Sequence, residues 1–249
     1  MSKLDSKKKK TTKKTTKKTT KKTKPEEPEE VAVEQEAQES DEDFTNSLAS
    51  ILFQTSEAPP EKEKLRTIGL FGEINEETTG DAIASLLTLR QQGKKEQLSD
   101  PENPESELIT TYDPMEIWIS TWGGVATDMF ALYDAMRIIR EDCEITTIGM
   151  GKVMSAGVLI LASGTKGKRK IGENCRIMMH SVISGHHGAI HNLENEMEEV
   201  RWIQDQHIKC LVKETDMTEK HLRKLLERKV NIYLTAQEAV ELGIADEVI

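Results

Sequence analysis

The stretch Ile145-Thr-Thr-Ile-Gly-Met-Gly-Lys-Val-Met-Ser-Ala-Gly-Val-Leu-Ile-Leu161 decides the fold. Ile145 to Met150 is a short apolar run closed by Gly151, which predicts a buried strand. Ser155 to Leu161 is small and apolar and stops near Gly164, which predicts a short buried helix. Similar units lie on both sides. Thr67 to Phe71 predicts a strand ending in Gly72, and Asp81 to Leu89 has a helical period. Met115 to Ile119 alternates as a strand does and runs straight into Ser120-Thr-Trp-Gly-Gly124. Met129, Leu132, Tyr133, Met136 and Ile139 then share one helical face. Arg176 to Met179 predicts a strand ending at His180, and a helix is expected from about Ile190 to Lys213. Thr235-Ala-Gln-Glu238 reads as a capping box opening a last helix that ends at Gly243. Gln91 to Tyr112 is polar and contains prolines, which predicts an exposed loop. Strands alternating with helices give an α/β fold with a largely parallel sheet.

The chain has 249 residues, and its composition divides near residue 64. Residues 2–24 are almost pure Lys, Thr and Ser, and residues 25–43 are rich in Glu and Asp. Neither block offers anything to bury, so 1–64 is expected to be a disordered extension and 65–249 one folded domain. The basic tail could grip phosphates, or be a solvated tail of no fixed role. The acidic block could pair with it, and the net charge is −10, so nucleic acid is not the expected partner. A short apolar patch from Leu48 to Phe53 could dock on a partner or on the folded body. Cys143, Cys175 and Cys210 form no CxxC pair, which reads as reduced thiols in a cytoplasmic protein. No apolar run approaches the roughly 18 residues that span a bilayer.

Three features fall at strand ends, where open α/β sheets place their sites. Gly123-Gly124 lets backbone approach a ligand and turn its N–H groups outward. Ser155, between small residues at the start of a helix, suits a nucleophile whose transition state carries an oxyanion. Taken alone, the segment reads first as a plain helix N-cap. His180 closes an apolar strand, as a general base or as a satisfied structural histidine. His186, His187 and His191 invite a metal, but no carboxylate or cysteine is evident at ligand spacing, and none is expected.

Four segments resemble the Clp protease proteolytic subunit. They are Ile119-Ser-Thr-Trp-Gly-Gly124, Gly149-Met-Gly-Lys-Val-Met-Ser155-Ala-Gly157, Arg176-Ile-Met-Met-His180, and the close from Tyr233 to Asp246. They occur in family order at near-family spacing across about residues 66–249. The resemblance implies a crotonase-like α/β fold with a protruding strand-helix handle, here Ile183 to about Lys213. It implies a serine endopeptidase in which Ser155 is the nucleophile, His180 the base, and the Gly124 and Ala156 N–H groups the oxyanion hole. It implies heptameric rings stacked as a tetradecamer, and unfolded protein substrates fed by a separate AAA+ ATPase. The chain itself has no GxxxxGK[ST] phosphate loop. No cofactor is implied, since ATP belongs to the partner.

Asn231 falls where the family has the aspartate of its triad. Its side-chain oxygen could accept the imidazole N–H, but it brings no negative charge to an imidazolium. Trp122 also stands where the family has proline. Two alternatives follow: a catalytically silent Clp-like subunit, and a crotonase-type enzyme acting on an acyl thioester.

Overall fold

The computed structural model describes residues 65–226 and 230–249. The basic tail, the acidic block and the Leu48–Phe53 patch lie outside the described residues. In chain order the elements are β1 (Thr67–Ile74), α1 (Glu76–Gln92), β2 (Lys94–Leu98), β3 (Leu108–Tyr112), β4 (Met115–Gly124), α2 (Ala126–Ile139), β5 (Ile145–Met154) and α3 (Ala156–Ala162). They continue as β6 (Arg169–Ile171), β7 (Arg176–Met179), α4 (Ile190–Glu214), α5 (Glu219–Leu226), β8 (Ile232–Leu234), α6 (Ala236–Glu241) and β9 (Glu247–Val248).

Seven strands form one sheet in the order β1-β4-β5-β6-β9, with β7 beside β5 and β8 beside β7. All pairs in it are parallel except β7–β8. Parallel neighbours need crossover segments, and α1, α2 and α3 lie in those crossovers. β4 shows the period-2 logic: Met115, Ile117 and Ile119 are buried, while Glu116 is exposed. The five residues predicted to share a face of α2 are all buried. Every residue of α3 is buried, which makes it the centre of the core. Asn75 and Thr78 cap α1, and Thr235 and Glu238 form the predicted capping box on α6.

Two expectations are corrected. The segment read as an exposed loop is instead a hairpin, with Lys94 opposite Tyr112 and Leu98 opposite Leu108. Nearly all of its residues are exposed, so it shows no buried-face alternation. Arg66 stitches its base, donating to the carbonyls of Leu89, Asp113 and Pro114. The strand half of the handle is not formed. Residues 181–189 carry no regular structure, because a strand needs a ladder partner and none lies beside them among the described residues.

The helical half of the handle is present as α4. Its second half packs on the body through Ile208, Leu211 and Glu214, while Ile190, Met197 and Trp202 are exposed. Glu214 is the anchor. It is 1 % exposed, accepts from Tyr133 Oη at 2.9 Å and pairs with Arg140 at 2.6 Å. Its carbonyl also accepts from Arg169 Nη1 at 2.7 Å. Burial works against the charged carboxylate. The Arg140 and Tyr133 hydrogen bonds and the Arg140 and Lys166 charges outweigh it and hold the pKa below the usual range.

Candidate active site

β5 changes partner along its length, and this builds the site. Thr147–Gly149 pair with β6, whereas Lys152–Met154 pair with β7. Gly151, at φ +66°, sits in the switch, where a side chain would be strained. The second half of β5 therefore ends beside the end of β7, and Ser155 N donates to Met178 O at 2.7 Å. Two residues 25 apart in sequence thus meet: His180 Nε2 lies 2.8 Å from Ser155 Oγ. Both are half-buried.

Ser155 has φ 53° and ψ −121°, and it is the only non-glycine with positive φ among the described residues. Such a conformation costs about 1–3 kcal/mol. The packing behind it outweighs this: Val158, Leu159, Ile160 and Leu161 are all buried, at roughly 1.5–3 kcal/mol per large aliphatic. Ser155 occupies the N-cap position of α3 but makes no side-chain capping bond, so its hydroxyl is aimed at His180. The plain-cap reading is thereby set aside.

The glycine pair closes the other side. At Gly123, φ is +94° and a Cβ would stand 2.6 Å from Ser155 Cβ and 2.8 Å from Met154 O. At Gly124 a Cβ would stand 1.9 Å from Ile74 O. Only glycine fits either position. Gly123 N is taken up by Thr121 Oγ1 at 3.0 Å, while Thr121 Oγ1 donates to Gly72 O at 2.6 Å. That leaves Gly124 as the donor candidate of the pair. Thr121, fully buried, is a support that sequence reasoning missed. Ala156 is the first residue of α3, and its N–H has no acceptor within its own helix. Gly124, Ala156, Ser155 and His180 all line one cleft of about 760 Å³, with Trp122 at 65 % exposure beside it. Lys152 Nζ sits 4.9 Å from the centroid of the Trp122 ring.

Asn231 is not brought to His180. The β7–β8 register pairs Met179 with Ile232, so one further step would set Asn231 opposite His180. Yet Asn231 is exposed, and no hydrogen bond joins the two. A neutral amide feels no charge attraction to the ring and loses nothing by facing water. His180 Nδ1 is buried without a hydrogen-bond partner among the described residues. Two further groups nearby were missed in the sequence. His207, on α4, lines the same cleft, is 8 % exposed, and leaves Nε2 without a partner. Burial first, and then the nearness of His180, push its pKa down to about 4, so it is neutral at pH 7. Gln204 accepts from Val182 N at 2.7 Å and leaves its Nε2 buried and unpaired. The signal for both was the helical spacing of Val200, Ile203, Gln204 and His207 along one face.

The histidines considered for a metal face separate carboxylates. His186 pairs with Glu196 at 3.4 Å and His191 with Glu194 at 3.2 Å. Carboxylates do stand at helical spacing there, contrary to the reading of the sequence. Among the described residues, no three His, Cys, Asp or Glu side chains gather as a metal site.

A family model described as Clp protease matches residues 107–249, more than half of the chain. The match includes Gly124, Ser155, His180, His207 and Asn231, and leaves β1 and α1 outside it.

Proposed function

The chain belongs to the Clp protease family, and from that premise we propose that it is a serine endopeptidase subunit with Ser155 as nucleophile and His180 as general base. The mixed, mostly parallel sheet with its helices is the crotonase-like α/β fold of that family. The observation that carries the proposal is the 2.8 Å approach of His180 Nε2 to Ser155 Oγ, at a strained turn. This is nucleophile-to-base hydrogen-bond distance.

In the proposed reaction Ser155 Oγ attacks the scissile carbonyl and its proton passes to His180 Nε2. The tetrahedral oxyanion accepts from the N–H groups of Gly124 and Ala156. Loss of one such donor typically costs 10²–10³ in rate. His180 then gives the proton to the leaving amine as the C–N bond breaks. Water attacks the acyl-enzyme with its proton going to His180, and His180 returns that proton to Ser155 Oγ as the acyl C–O bond breaks and the acid leaves. No step calls on a metal or cofactor. Val125, Met129 and Ile203 in the cleft suit an apolar substrate side chain. Asn231 holds the third position only by register.

The exposed apolar residues of α4, Ile190, Met197 and Trp202, support assembly into stacked rings, with heptamers forming a tetradecamer. A cytoplasmic site of action, with an AAA+ ATPase delivering unfolded substrate, completes the proposal. The unpaired Cys143, Cys175 and Cys210 fit a reducing compartment. Among the described residues no helix is long and apolar enough to cross a membrane.

The unpartnered Nδ1 of His180 favours one second reading, a catalytically silent ring subunit. Hydrolysis of an unstructured fluorogenic peptide by the assembled protein separates the two. Cleavage by wild type and none by Ser155→Ala supports the peptidase. Equal inactivity of both supports the silent subunit.

A further inference from the structure

A serine–histidine pair works only if the imidazole carries its proton on the nitrogen facing away from the serine. With Nε2 of His180 facing Ser155 Oγ, that proton belongs on Nδ1. No carboxylate among the described residues accepts from it, and Asn231 faces solvent. A buried N–H left unpaired costs about 1–3 kcal/mol, which would favour the opposite tautomer and disable the base.

Among the described residues three buried polar atoms of this region lack partners: His180 Nδ1, His207 Nε2 on the same cleft, and Nε2 of Gln204, whose oxygen holds Val182 N. Their chemistry is complementary. Gln204 Oε1 is committed to Val182 N, two residues beyond His180, so its Nε2 must donate. His180 Nδ1–H also donates in the productive tautomer. A neutral His207 has one nitrogen free to accept, and its Nε2 is the buried one. Two donors and one acceptor are what a single bound water satisfies, with about three hydrogen bonds in all.

We propose that His207 is the positioning residue for His180, its Nε2 receiving the His180 Nδ1–H through one bound water that Gln204 also holds. His207 thus takes the part that the sequence reading assigned to Asn231. It orients and fixes a tautomer without taking the proton, because burial keeps it a weak base. The inference rests on the peptidase reading above.

The test is the rate of Ser155 modification by a fluorophosphonate, read by intact mass on the assembled full chain, for wild type, His207→Leu and His207→Gln. His207→Leu removes the acceptor and should slow the limiting rate by roughly 10²-fold at unchanged half-saturation, the size of a general-base contribution. His207→Gln restores a side-chain oxygen and should recover about a tenth or more of the wild-type rate. Circular dichroism and ring assembly, unchanged across the three, would exclude misfolding as the cause. Wild-type rates in His207→Leu overturn the inference alone. Equal slowing in both variants also overturns it, since a packing role would not distinguish an oxygen acceptor. An inert wild type overturns the peptidase reading and this inference with it.

Discussion

Lowering the pH from 7 to 5 should destabilise the folded chain through His207. Its ordinary pKa is about 6.5, and burial holds it at about 4 in the fold. Between those values the unfolded chain binds a proton that the folded chain refuses. Stability therefore rises with pH up to about 6.5 and falls as pH drops toward 4. One pKa unit is about 1.4 kcal/mol, so the whole shift is worth about 3 kcal/mol. Between pH 7 and 5 roughly 2 kcal/mol of it is lost, a large share of a typical total of about 5–15 kcal/mol. The carboxyls of Glu214 and Asp246 are held below their ordinary range. Their contributions are present above that range and are lost only at lower pH, so the window isolates histidines. The assay is urea unfolding of wild type and His207→Leu at both pH values and one protein concentration, because assembly makes stability concentration-dependent. With a urea slope of about 1–3 kcal/mol/M, the wild-type midpoint should fall about 1 M further than that of the variant. Parallel falls in the two proteins would mean that His207 is not the group whose protonation drives the loss.

Two further outcomes follow from the same geometry. Ser155→Gly should be more stable than Ser155→Ala by about 1 kcal/mol in thermal or urea unfolding, because only glycine occupies φ 53° without strain. Glu214→Ala should cost about 3 kcal/mol or more by urea unfolding, since it strands the largely buried Arg140 and the Tyr133 hydroxyl together.

Much of the fold was legible because its signals are periodic. Met129, Leu132, Tyr133, Met136 and Ile139 mark one helix face by spacing alone, and all five are buried. The Arg176–Met179 strand was read to the residue. The hairpin was illegible because its two strands lie mostly in water, where no buried face imposes alternation. Strands β6, β8 and β9 have only two or three residues, too few to show a period. The Ser155–His180 contact was legible as two strand ends, since a parallel sheet sets its strand ends side by side. The role of Gly123 was not, because which of two glycine N–H groups is spent depends on Thr121 and Gly72, far apart in sequence. Asn231 was legible as a position and not as a contact. His207 carried a signal in its spacing from Val200 and Ile203, but it sits in a 25-residue helix whose first half is exposed, so the spacing alone did not say which turns are buried.

The most direct test of the central claim is fluorophosphonate labelling of the assembled wild type and of Ser155→Ala, read by intact mass. Wild type should carry one adduct per chain, lying on Ser155, and the variant none. Assembled wild type that takes no label, or a Ser155→Ala variant labelled to the same extent, would contradict it.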